Sequence, residues 1–395
     1  MSQLEQLKNS VKRGELYMKK MLMLASVVSM IDQFNMPNIE ILIKQGYEVH
    51  VAANFEYGST SSKERVEEFK KELEGMGITY FQVDFSRNIT DIKSNIKAYK
   101  QIKDMMIKYK YEFIHCHSPI GGVCGRLAAH KTKTTVIYTA HGFHFFKGSP
   151  IKNWVIFYPV EWFLSYYTDV LITINKEDYE RALKNFHSKK TFYIPGIGLD
   201  TKKFRSAVVN KEAKRKEIGI PSNAIMLFSV GELVARKNHE VVIRAMIKAE
   251  NKNLYLVICG RGDLMQYLKD LSKELGVANR VLLLGFRTDI VEICRSADIY
   301  VFPSKREGLG IAALEGMATG LPLISSYING IKDYTKDGET GFCLEPNDLD
   351  GFSRAMDRLA NDENLRNKIG NHNLEVVKGF DIEIVNKIMY KIYIG

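Results

Sequence analysis

Residues 299–322 read IYVFPSKREGLGIAALEGMATGLP, and this stretch decides the fold. The apolar run Ile299 to Phe302 is typical of a buried strand, which Pro303 ends. A glycine-bearing loop follows, and a helix is expected to begin near Leu309. The start of a helix presents unpaired backbone N–H groups and the positive end of the helix dipole. The stretch therefore predicts a strand–loop–helix unit with an anion site, suited to a phosphate, at the carboxyl end of the strand.

Two glutamates of this unit are candidates for ligand contacts. Glu307 lies in the loop, and Glu315 lies about two turns into the helix. Eight residues at about 100° each return to within about 80° of the starting direction, so both carboxylates can face one crevice. In the alternative interpretation, Glu307 only favours the helix dipole and Glu315 is solvated. That alternative leaves a charged residue between Leu314 and Met317 unexplained, so we expect both glutamates to be functional.

On both sides of this unit, short apolar runs alternate with amphipathic stretches, which predicts an α/β fold with two doubly wound parallel sheets. No repeat of fixed period occurs in the sequence, which excludes solenoids and arrays. The expected strands are residues 22–28, 47–53, 79–83, 113–116, 135–139, 170–173 and 191–194 in the first half, and 225–230, 254–259, 281–284, 299–302 and 323–325 in the second.

This pattern divides the chain into five segments. Residues 1–19 are a polar N-terminal arm, residues 20–198 an N-terminal Rossmann-like domain, and residues 199–222 a turn-rich, charged linker. Residues 223–380 form a C-terminal Rossmann-like domain, and residues 381–395 a helix expected to pack back on the N-terminal domain. Two open sheets joined by one linker place their carboxyl ends around a central cleft, where ligands bind in such folds.

The composition limits the classes of function. The 395 residues include 56 basic and 46 acidic side chains, a formal net charge of +10, and 45% are hydrophobic. Such a chain is globular, and neither disordered nor fibrous. Its charge favours anionic partners: nucleotides, nucleic acid or an acidic membrane surface. The charge is concentrated in residues 93–133, where Lys103, Lys108 and Lys110 are among the basic side chains and Asp104 and Glu112 are the carboxylates.

The cysteines bear on the cellular compartment. Five cysteines are scattered along the chain, which favours buried thiols in a reducing compartment over a disulfide framework. The apolar run from Met21 to Ile31 is much shorter than the roughly 20 residues that cross a bilayer, and no signal-peptide cleavage site follows it. We therefore expect a cytoplasmic protein.

A second group of candidates follows the expected strand at residues 225–230. Residues 231–239, GELVARKNH, place Arg236 and Lys237 at an expected helix start. Cations there can neutralise negative charge that develops on a leaving group. The alternative is a solvated turn, which fits Arg236 better than Lys237. Gly260 lies in a tight Gly-Arg-Gly turn after the next strand and is expected to line the same cleft.

Among the histidines, His141 is the strongest candidate. It follows the expected strand at residues 135–139, so its imidazole should lie at the edge of the cleft. A histidine satisfied within the core is the ordinary alternative. His115 and His117 share one face of a strand while Cys116 points away, which makes this triplet a poor zinc site. We predict no metal site and no cofactor.

An aromatic stripe at four-residue spacing lies on an expected helix and consists of Trp154, Tyr158, Trp162 and Tyr166. Such a stripe is more often part of a core than a ligand site. The alternative is a surface that meets a lipid headgroup or a lipid-linked acceptor, because amphipathic aromatic rings and the nearby basic residues suit a membrane interface.

The spacing of Glu307 and Glu315, with its flanking Pro-Ser and Gly-Leu-Pro, resembles the donor-binding signature of the retaining glycosyltransferases of family 4, which have the GT-B fold. The resemblance extends from about Lys20 to the C-terminus and is closest to the bacterial capsule and exopolysaccharide branch. Further matching stretches are residues 46–53 (GYEVHVAA), 115–122 (HCHSPIGG), 138–144 (YTAHGFH) and 171–178 (LITINKED).

The resemblance implies a nucleotide-sugar donor, which we expect to be a UDP-sugar, in the C-terminal domain and a lipid-linked saccharide acceptor on the N-terminal domain. Glu315 would bind the ribose, and Glu307 would hold hydroxyls of the transferred sugar. The implied donor-binding residues are Glu315, Arg236, Gly308, Leu309, Gly310, Gly260 and Arg287. The implied catalytic residues are His141, Glu307 and Lys237. The acceptor or membrane contacts would be Trp154, Tyr158, Trp162, Lys103, Lys108 and Lys110.

Two rival functions stay open at this point. A nucleotide-sugar epimerase or hydrolase of the same architecture would release UDP without an acceptor. A non-catalytic basic protein that binds membranes or nucleic acid would fit the net charge, but Glu307 and Glu315 would repel a phosphodiester backbone, and no nucleic-acid motif occurs. We therefore expect a metal-independent hexosyl- or N-acetylhexosaminyltransferase, peripheral at the inner face of the cell membrane, with no nucleic-acid partner.

Overall fold

The structure is a computed structural model that describes residues 18–395. Most of the expected N-terminal arm, residues 1–17, lies outside the described residues. Within residues 18–395 the chain forms two parallel sheets connected largely by helices, the α/β class expected from the sequence.

The first sheet has seven parallel strands in the order β3-β2-β1-β4-β5-β6-β7. Its strands are β1 (Lys20–Leu24), β2 (Glu48–Ala53), β3 (Thr79–Gln82), β4 (Phe113–His117), β5 (Thr135–Ala140), β6 (Val170–Thr173) and β7 (Lys190–Tyr193). Its helices are α1 (Val28–Phe34), α2 (Met36–Lys44), α3 (Lys63–Gly75), α4 (Ile92–Tyr109), α5 (Pro119–Thr132), α6 (Ile151–Ser165) and α7 (Lys176–Asn185).

The second sheet has six parallel strands in the order β10-β9-β8-β11-β12-β13. Its strands are β8 (Ile225–Val230), β9 (Leu254–Cys259), β10 (Val281–Gly285), β11 (Ile299–Phe302), β12 (Leu323–Ser326) and β13 (Gly341–Leu344). The remaining helices are α8 (Thr201–Ser206), α9 (Lys211–Ile218), α10 (His239–Lys248), α11 (Met265–Glu274), α12 (Ile290–Ser296), α13 (Ile311–Ala318), α14 (Leu349–Asn361), α15 (Glu363–Val376) and α16 (Ile382–Ile394).

The sheets are buried on both faces, as the continuous apolar runs of their strands predict. In β1, Met21 and Met23 belong to a core that also includes residues of the second domain, whereas Leu22 and Leu24 pack on the opposite face of the sheet. A third core covers the other face of the second sheet. Twelve strands therefore agree with the expected ones to within a few residues, and β13 was missed.

The expected linker at residues 199–222 contains two short helices, α8 and α9. Asp200 and Asn210 cap them by accepting hydrogen bonds from backbone N–H groups. Arg215 of α9 is buried, and its guanidinium pairs with Asp298 at 2.5 Å and donates to the carbonyl oxygens of Ser296 and Ala224. This segment therefore packs as part of the second domain. The sequence predicted a linker here from turn residues and high charge, because the ion pairs that fold this segment onto the second domain are not visible in the sequence.

The last helix, α16, crosses back to the first domain. It contacts α2, and the Tyr393 hydroxyl lies 2.8 Å from Nδ1 of His115 in β4. Where the chain makes this crossing, the N–H of Leu199 donates to the carbonyl of Phe380 and the N–H of Ile382 donates to the carbonyl of Leu199, both at 2.9 Å. The two segments that connect the domains are thus hydrogen-bonded to each other.

Candidate active site

Backbone and side-chain contacts at and near the loop between β11 and α13 join the two domains across the cleft. Gly308 in this loop lies against the His141 carbonyl, so close that a Cβ at Gly308 would stand 2.2 Å from that oxygen. Asn175, which caps α7, donates from Nδ2 to the Gly308 carbonyl at 2.8 Å. The N–H of Lys176 donates to Asp333 at 2.9 Å. The carboxyl ends of the two sheets therefore face each other across this contact.

Glu307 lies at the centre of a charged cluster. Its Oε1 is 2.6 Å from Nζ of Lys237 and 3.7 Å from Nη1 of Arg236, and the Glu307 side chain is almost fully buried. Arg236 also pairs with Glu232 at 3.3 Å. A buried charge is stable only when it is paired, which accounts for the short Lys237 contact. The structure brings Glu307, Lys237 and Arg236 together in one cluster.

Asn238 holds this cluster in position. It adopts left-handed backbone angles with φ 57°, and its side-chain Nδ2 donates to the carbonyls of Pro303 at 3.0 Å and Pro346 at 2.7 Å. Asparagine tolerates this conformation better than most residues. The turn that carries Lys237 is thereby fixed to the loop that carries Glu307.

Glu315 lies on α13, which begins after Gly310. Gly310 has φ 85°, and a Cβ there would stand 2.7 Å from the Phe302 ring, so glycine is required at this helix start. The Glu315 side chain is half-buried, and desolvation raises the pKa of its carboxyl to about 7 against the opposing charge of Lys203. Within residues 18–395 no hydrogen bond engages this carboxylate. Its oxygens are available to a ligand.

His141 follows β5 directly and is linked to a second histidine. Its Nε2 lies 3.0 Å from Nδ1 of His117. Burial lowers the pKa of His141 to about 4, so the ring is neutral at pH 7 and acts as a polar group without charge. The loop after His141 is fixed by Asp178, which accepts a hydrogen bond from the N–H of Phe143 at 2.9 Å.

Of two further residues expected to bind the donor, Gly260 lies at the cleft and Arg287 is engaged by other carboxylates. A Cβ at Gly260 would stand 1.8 Å from the Gly231 carbonyl oxygen, so Gly260 permits the turns after β8 and β9 to pack closely at the cleft. Arg287, expected to bind the donor, instead pairs with Asp289 at 2.5 Å and with Glu217 of α9 at 2.7 Å. The structure does not bring its guanidinium to Glu307, because these two carboxylates already engage it.

The aromatic stripe on α6 divides into two parts. Trp154 and Tyr158 pack on the buried ring of Phe145, with ring centroids 5.6 and 5.3 Å apart, and thus lie at the edge of the core. Trp162 is 40% exposed and contacts Tyr166. The expected surface for acceptor or membrane is therefore reduced to Trp162 and its neighbours.

The three lysines expected at the membrane lie on and just after α4. Lys103 and Lys110 line a concave surface together with Lys131 and Lys133, with no carboxylate among the lining residues. Lys108 lies over the Tyr109 ring at 4.8 Å. Lysines so arranged form a positive surface on the first domain.

Arg306 was missed in the sequence. It precedes Glu307 in the loop and is half-buried, and within residues 18–395 it forms no ion pair. Desolvation, with a smaller contribution from Arg236, lowers the pKa of its guanidinium. The only signal was its charge beside Glu307. Asn175 was missed as well, because its contact with Gly308 spans both domains and has no sequence signature.

Within residues 18–395, no group of three or more His, Cys, Asp or Glu side chains is arranged to hold a metal ion. In the same part of the chain, no helix has the length and apolar character needed to cross a membrane. The five cysteines are free thiols, and Cys343 is the one that is half-exposed.

Two parallel-sheet domains that meet at a charged cleft define the two-domain class of α/β enzymes known as GT-B. A glycosyl transferase 4-like family model matches residues 20–175, and one for glycosyl transferases group 1 matches residues 210–375. EpsD of Bacillus subtilis (strain 168), named as a glycosyltransferase, is 38% identical over 360 residues, which cover 89% of this chain and 90% of EpsD. The chain belongs to this glycosyltransferase family.

Further similarity extends to an enzyme of known name and to solved structures. The UDP-Gal:alpha-D-GlcNAc-diphosphoundecaprenol alpha-1,3-galactosyltransferase of Escherichia coli is 35% identical over 314 residues, 77% of this chain and 80% of that protein. HepE of Anabaena, solved with UDP and glucose, has a TM-score of 0.77 at 18% identity and covers 95% of this chain and 99% of HepE. Sucrose-phosphate synthase of Thermosynechococcus elongatus has a TM-score of 0.76 at 19% identity, covering 95% and 98%. The GT-B fold expected from the sequence is confirmed.

Proposed function

We propose that this glycosyltransferase moves a hexosyl or N-acetylhexosaminyl group from a UDP-sugar to a lipid-linked saccharide, with retention of the anomeric configuration. The reaction would serve capsule or exopolysaccharide synthesis at the inner face of the cell membrane. The observation that carries this proposal is the contact of Glu307 with Lys237 beside the start of α13.

In a nucleotide sugar, the sugar and the diphosphate meet at one glycosidic oxygen. A carboxylate that holds sugar hydroxyls and an ammonium that holds the diphosphate must therefore lie within a few ångströms of each other. Glu307 and Lys237 satisfy this condition at 2.6 Å. On donor binding, Lys237 would turn part of its hydrogen bonding from Glu307 to the phosphates.

The uridine end of the donor would extend along α13. Ribose hydroxyls are hydrogen-bond donors, and Glu315 offers carboxylate oxygens that no described residue engages. The backbone N–H groups at the start of α13, next to Gly310, would face the diphosphate. HepE, which shares the fold, was solved with UDP and glucose, which supports UDP as the nucleotide.

Catalysis would come mainly from stabilising the leaving UDP. Lys237, Arg236 and the start of α13 supply positive charge and N–H groups where negative charge develops as the glycosidic bond breaks. None of these groups requires a metal ion, so transfer would be metal-independent. Neutral His141 would hydrogen-bond a hydroxyl of the donor sugar near the reacting carbon.

The acceptor class is supported by two relatives. The E. coli galactosyltransferase is named for a diphosphoundecaprenol-linked acceptor, and CapM of Staphylococcus aureus, 22% identical over 364 residues, is named for capsular polysaccharide biosynthesis. Such acceptors lie in a membrane. The positive surface that includes Lys103 and Lys110 would hold the first domain against anionic lipid.

The test is a transfer assay with purified protein, a panel of UDP-sugars and GlcNAc-diphosphoundecaprenol, in the presence of EDTA. We expect acceptor-dependent product from one UDP-sugar and retention of the α configuration by NMR. Lys237→Ala should lower turnover by about a hundredfold or more, whereas Lys305→Ala, at an exposed lysine of the same loop, should not. UDP release that is independent of acceptor would instead indicate a hydrolase or epimerase. Activity lost to EDTA and restored by Mg²⁺ or Mn²⁺ would contradict the metal-free assignment.

A further inference from the structure

An apolar groove of about 540 Å³ runs over the surface of the first domain. Its floor is α5, with Val123 and Leu127 one turn apart, and its walls are α4 and α6. Most of the lining side chains are aliphatic or aromatic, and the Phe157 ring is among them. Five of these are large apolar side chains that are more than two-fifths exposed: Ile89, Ile92, Ile96, Ile156 and Val160. A contiguous exposed apolar surface of this kind marks an interaction site.

The groove has a defined direction. The helices α4, α5 and α6 all begin on the carboxyl side of the first sheet, where the cleft lies, and run away from it. Pro119 at the start of α5 and Lys131 near its end both line the groove. The groove therefore extends for roughly 18 Å from the edge of the cleft, at 1.5 Å per helical residue.

At the cleft end, the groove borders His144, which is influenced by a cation of the second domain. The Phe157 ring, which lines the groove, lies 4.5 Å from the His144 ring. Burial lowers the pKa of the His144 imidazole to about 4, with a smaller contribution from the positive charge of Arg306 in the second domain. Among the described residues, Arg306 forms no ion pair, although the charge of the neighbouring Glu307 acts on its guanidinium. The guanidinium of Arg306 thus acts on the histidine that contacts the groove at Phe157, and guanidinium groups are well suited to bind phosphate.

At its other end, the groove opens beside the positive surface. Lys131 lines both the groove and the concave surface that holds Lys103, Lys110 and Lys133. A positive surface faces the anionic headgroups of a bilayer. The two ends of the groove thus suit a molecule whose apolar part comes from a membrane and whose anionic part lies in the cleft.

We propose that this groove binds the isoprenoid chain of a polyprenyl diphosphate acceptor, with the diphosphate at Arg306. The proposal rests on the proposed function for the existence of a lipid-linked acceptor, and it adds where the lipid lies. A flat bilayer contact would not need a groove that leads to the edge of the cleft. The chain would thereby orient the acceptor saccharide towards His141 and Glu307.

The test uses isopentenyl, geranyl and farnesyl diphosphate as probes in buffer without vesicles or detergent. Calorimetric titration should show affinity rising by roughly tenfold or more with each added isoprene unit, because each buried methylene strengthens binding. Arg306→Gln should weaken binding of all three probes by a similar factor and leave the dependence on chain length intact. If all three probes bind the wild-type protein equally, the proposal is overturned.

A matched pair of double variants assigns the chain to the groove. Ile96→Ser/Val160→Ser removes two exposed apolar side chains from the groove walls, and Ile151→Ser/Val155→Ser removes two from α6 outside the groove. We expect the first variant to lose most of the dependence on chain length and the second to keep it. Equal behaviour of the two variants would overturn the proposal. So would a first variant that loses vesicle binding but keeps its farnesyl diphosphate affinity, because the surface would then contact the bilayer itself.

The proposed function is measured separately in the same variants. UDP titration reports the donor site, and transfer to GlcNAc-diphosphate carrying a short alkyl chain reports catalysis without the groove. Wild-type protein that transfers sugar to this short acceptor but shows no preference for longer chains would overturn the groove proposal alone. Protein that binds the prenyl diphosphates with the expected preference but does not transfer sugar would contradict the proposed function instead.

Discussion

Glu307 and Glu315 belong to one sequence signature but have different surroundings. Glu307 forms an ion pair with Lys237 at 2.6 Å, whereas desolvation raises the pKa of the Glu315 carboxyl to about 7. The sequence predicted that both glutamates and Lys237 would face the cleft, since helical spacing and strand ends determine this. It did not predict Asn175, which contacts Gly308 of the other domain. It also did not predict Arg306, which forms no ion pair among the described residues.

The first prediction separates the two glutamates by UDP affinity. Glu315→Gln should weaken UDP binding by roughly tenfold to a hundredfold, because a hydrogen bond to a charged acceptor contributes about 1.5 to 3 kcal/mol. Glu307→Gln should leave UDP affinity unchanged or slightly higher, since Lys237 loses its carboxylate partner, while turnover falls. Calorimetric titration of UDP into both variants measures this. A large loss of affinity in Glu307→Gln alone would reverse the assignment of ribose and sugar.

The second prediction concerns the stability of the ligand-free protein. The Glu315 carboxyl has a pKa near 7 when folded and about 4.5 when unfolded, so its ionisation opposes folding as pH rises through this range. Glu315→Gln should therefore be more stable than wild type at pH 8, by up to about 3 kcal/mol, and equally stable near pH 4.5. Urea unfolding across this range measures the difference. The same substitution at exposed Glu345 should show no such trend, and a parallel trend there would contradict the assignment.

Elements with strong local patterns were predictable, and those stabilised by distant contacts were not. Each of the twelve expected strands is an apolar run flanked by turns or helices. The missed strand β13 (Gly341–Leu344) follows β12 without an intervening α-helix, so the strand–helix alternation fails there. The sequence predicted a linker where α8 and α9 form, because the ion pair between Arg215 and Asp298 exists only in the folded chain.

The loop between β11 and α13 gives the third prediction. A side chain at Gly308 would collide with the His141 carbonyl, and backbone atoms cannot give way as a flexible side chain does. Gly308→Ala should lower turnover by about tenfold or more and cost about 1 to 3 kcal/mol of unfolding free energy. Steady-state transfer rates and urea unfolding test this. Gly75→Ala is the control, since nothing lies within 4 Å of a Cβ there; equal effects in both variants would contradict the importance of this contact.

For the whole molecule, the fourth prediction concerns membrane binding. The protein should sediment with anionic vesicles in low salt and be released by higher salt, because the positive surface attracts anionic lipid. Lys103→Gln/Lys110→Gln should weaken this binding, at roughly fivefold per lysine. Lys269→Gln/Lys273→Gln, at exposed lysines of the second domain, should not. Equal binding to neutral and anionic vesicles would rule out electrostatic docking.

The class of the molecule was predictable from the sequence, because alternating strands and helices in two halves admit few architectures. Which of its side chains are exposed at the surface was less predictable. Helical spacing placed Trp154, Tyr158 and Trp162 on a single stripe, but the first two rings pack on Phe145 and the third stays exposed. Which part of an amphipathic aromatic helix faces solvent depends on neighbouring elements that the sequence of the helix does not contain.

The chain passes between the domains twice, and the two passages lie side by side because Leu199 exchanges hydrogen bonds with Phe380 and Ile382. Two connecting segments at one place resist sliding of one domain past the other but permit rotation of the domains about that place. Opening of the cleft to release a product would then be a hinge rotation of one domain relative to the other. In such a rotation, atoms near the connecting segments move least and atoms at the entrance of the cleft move most. The entrance can therefore widen without separating the two domains.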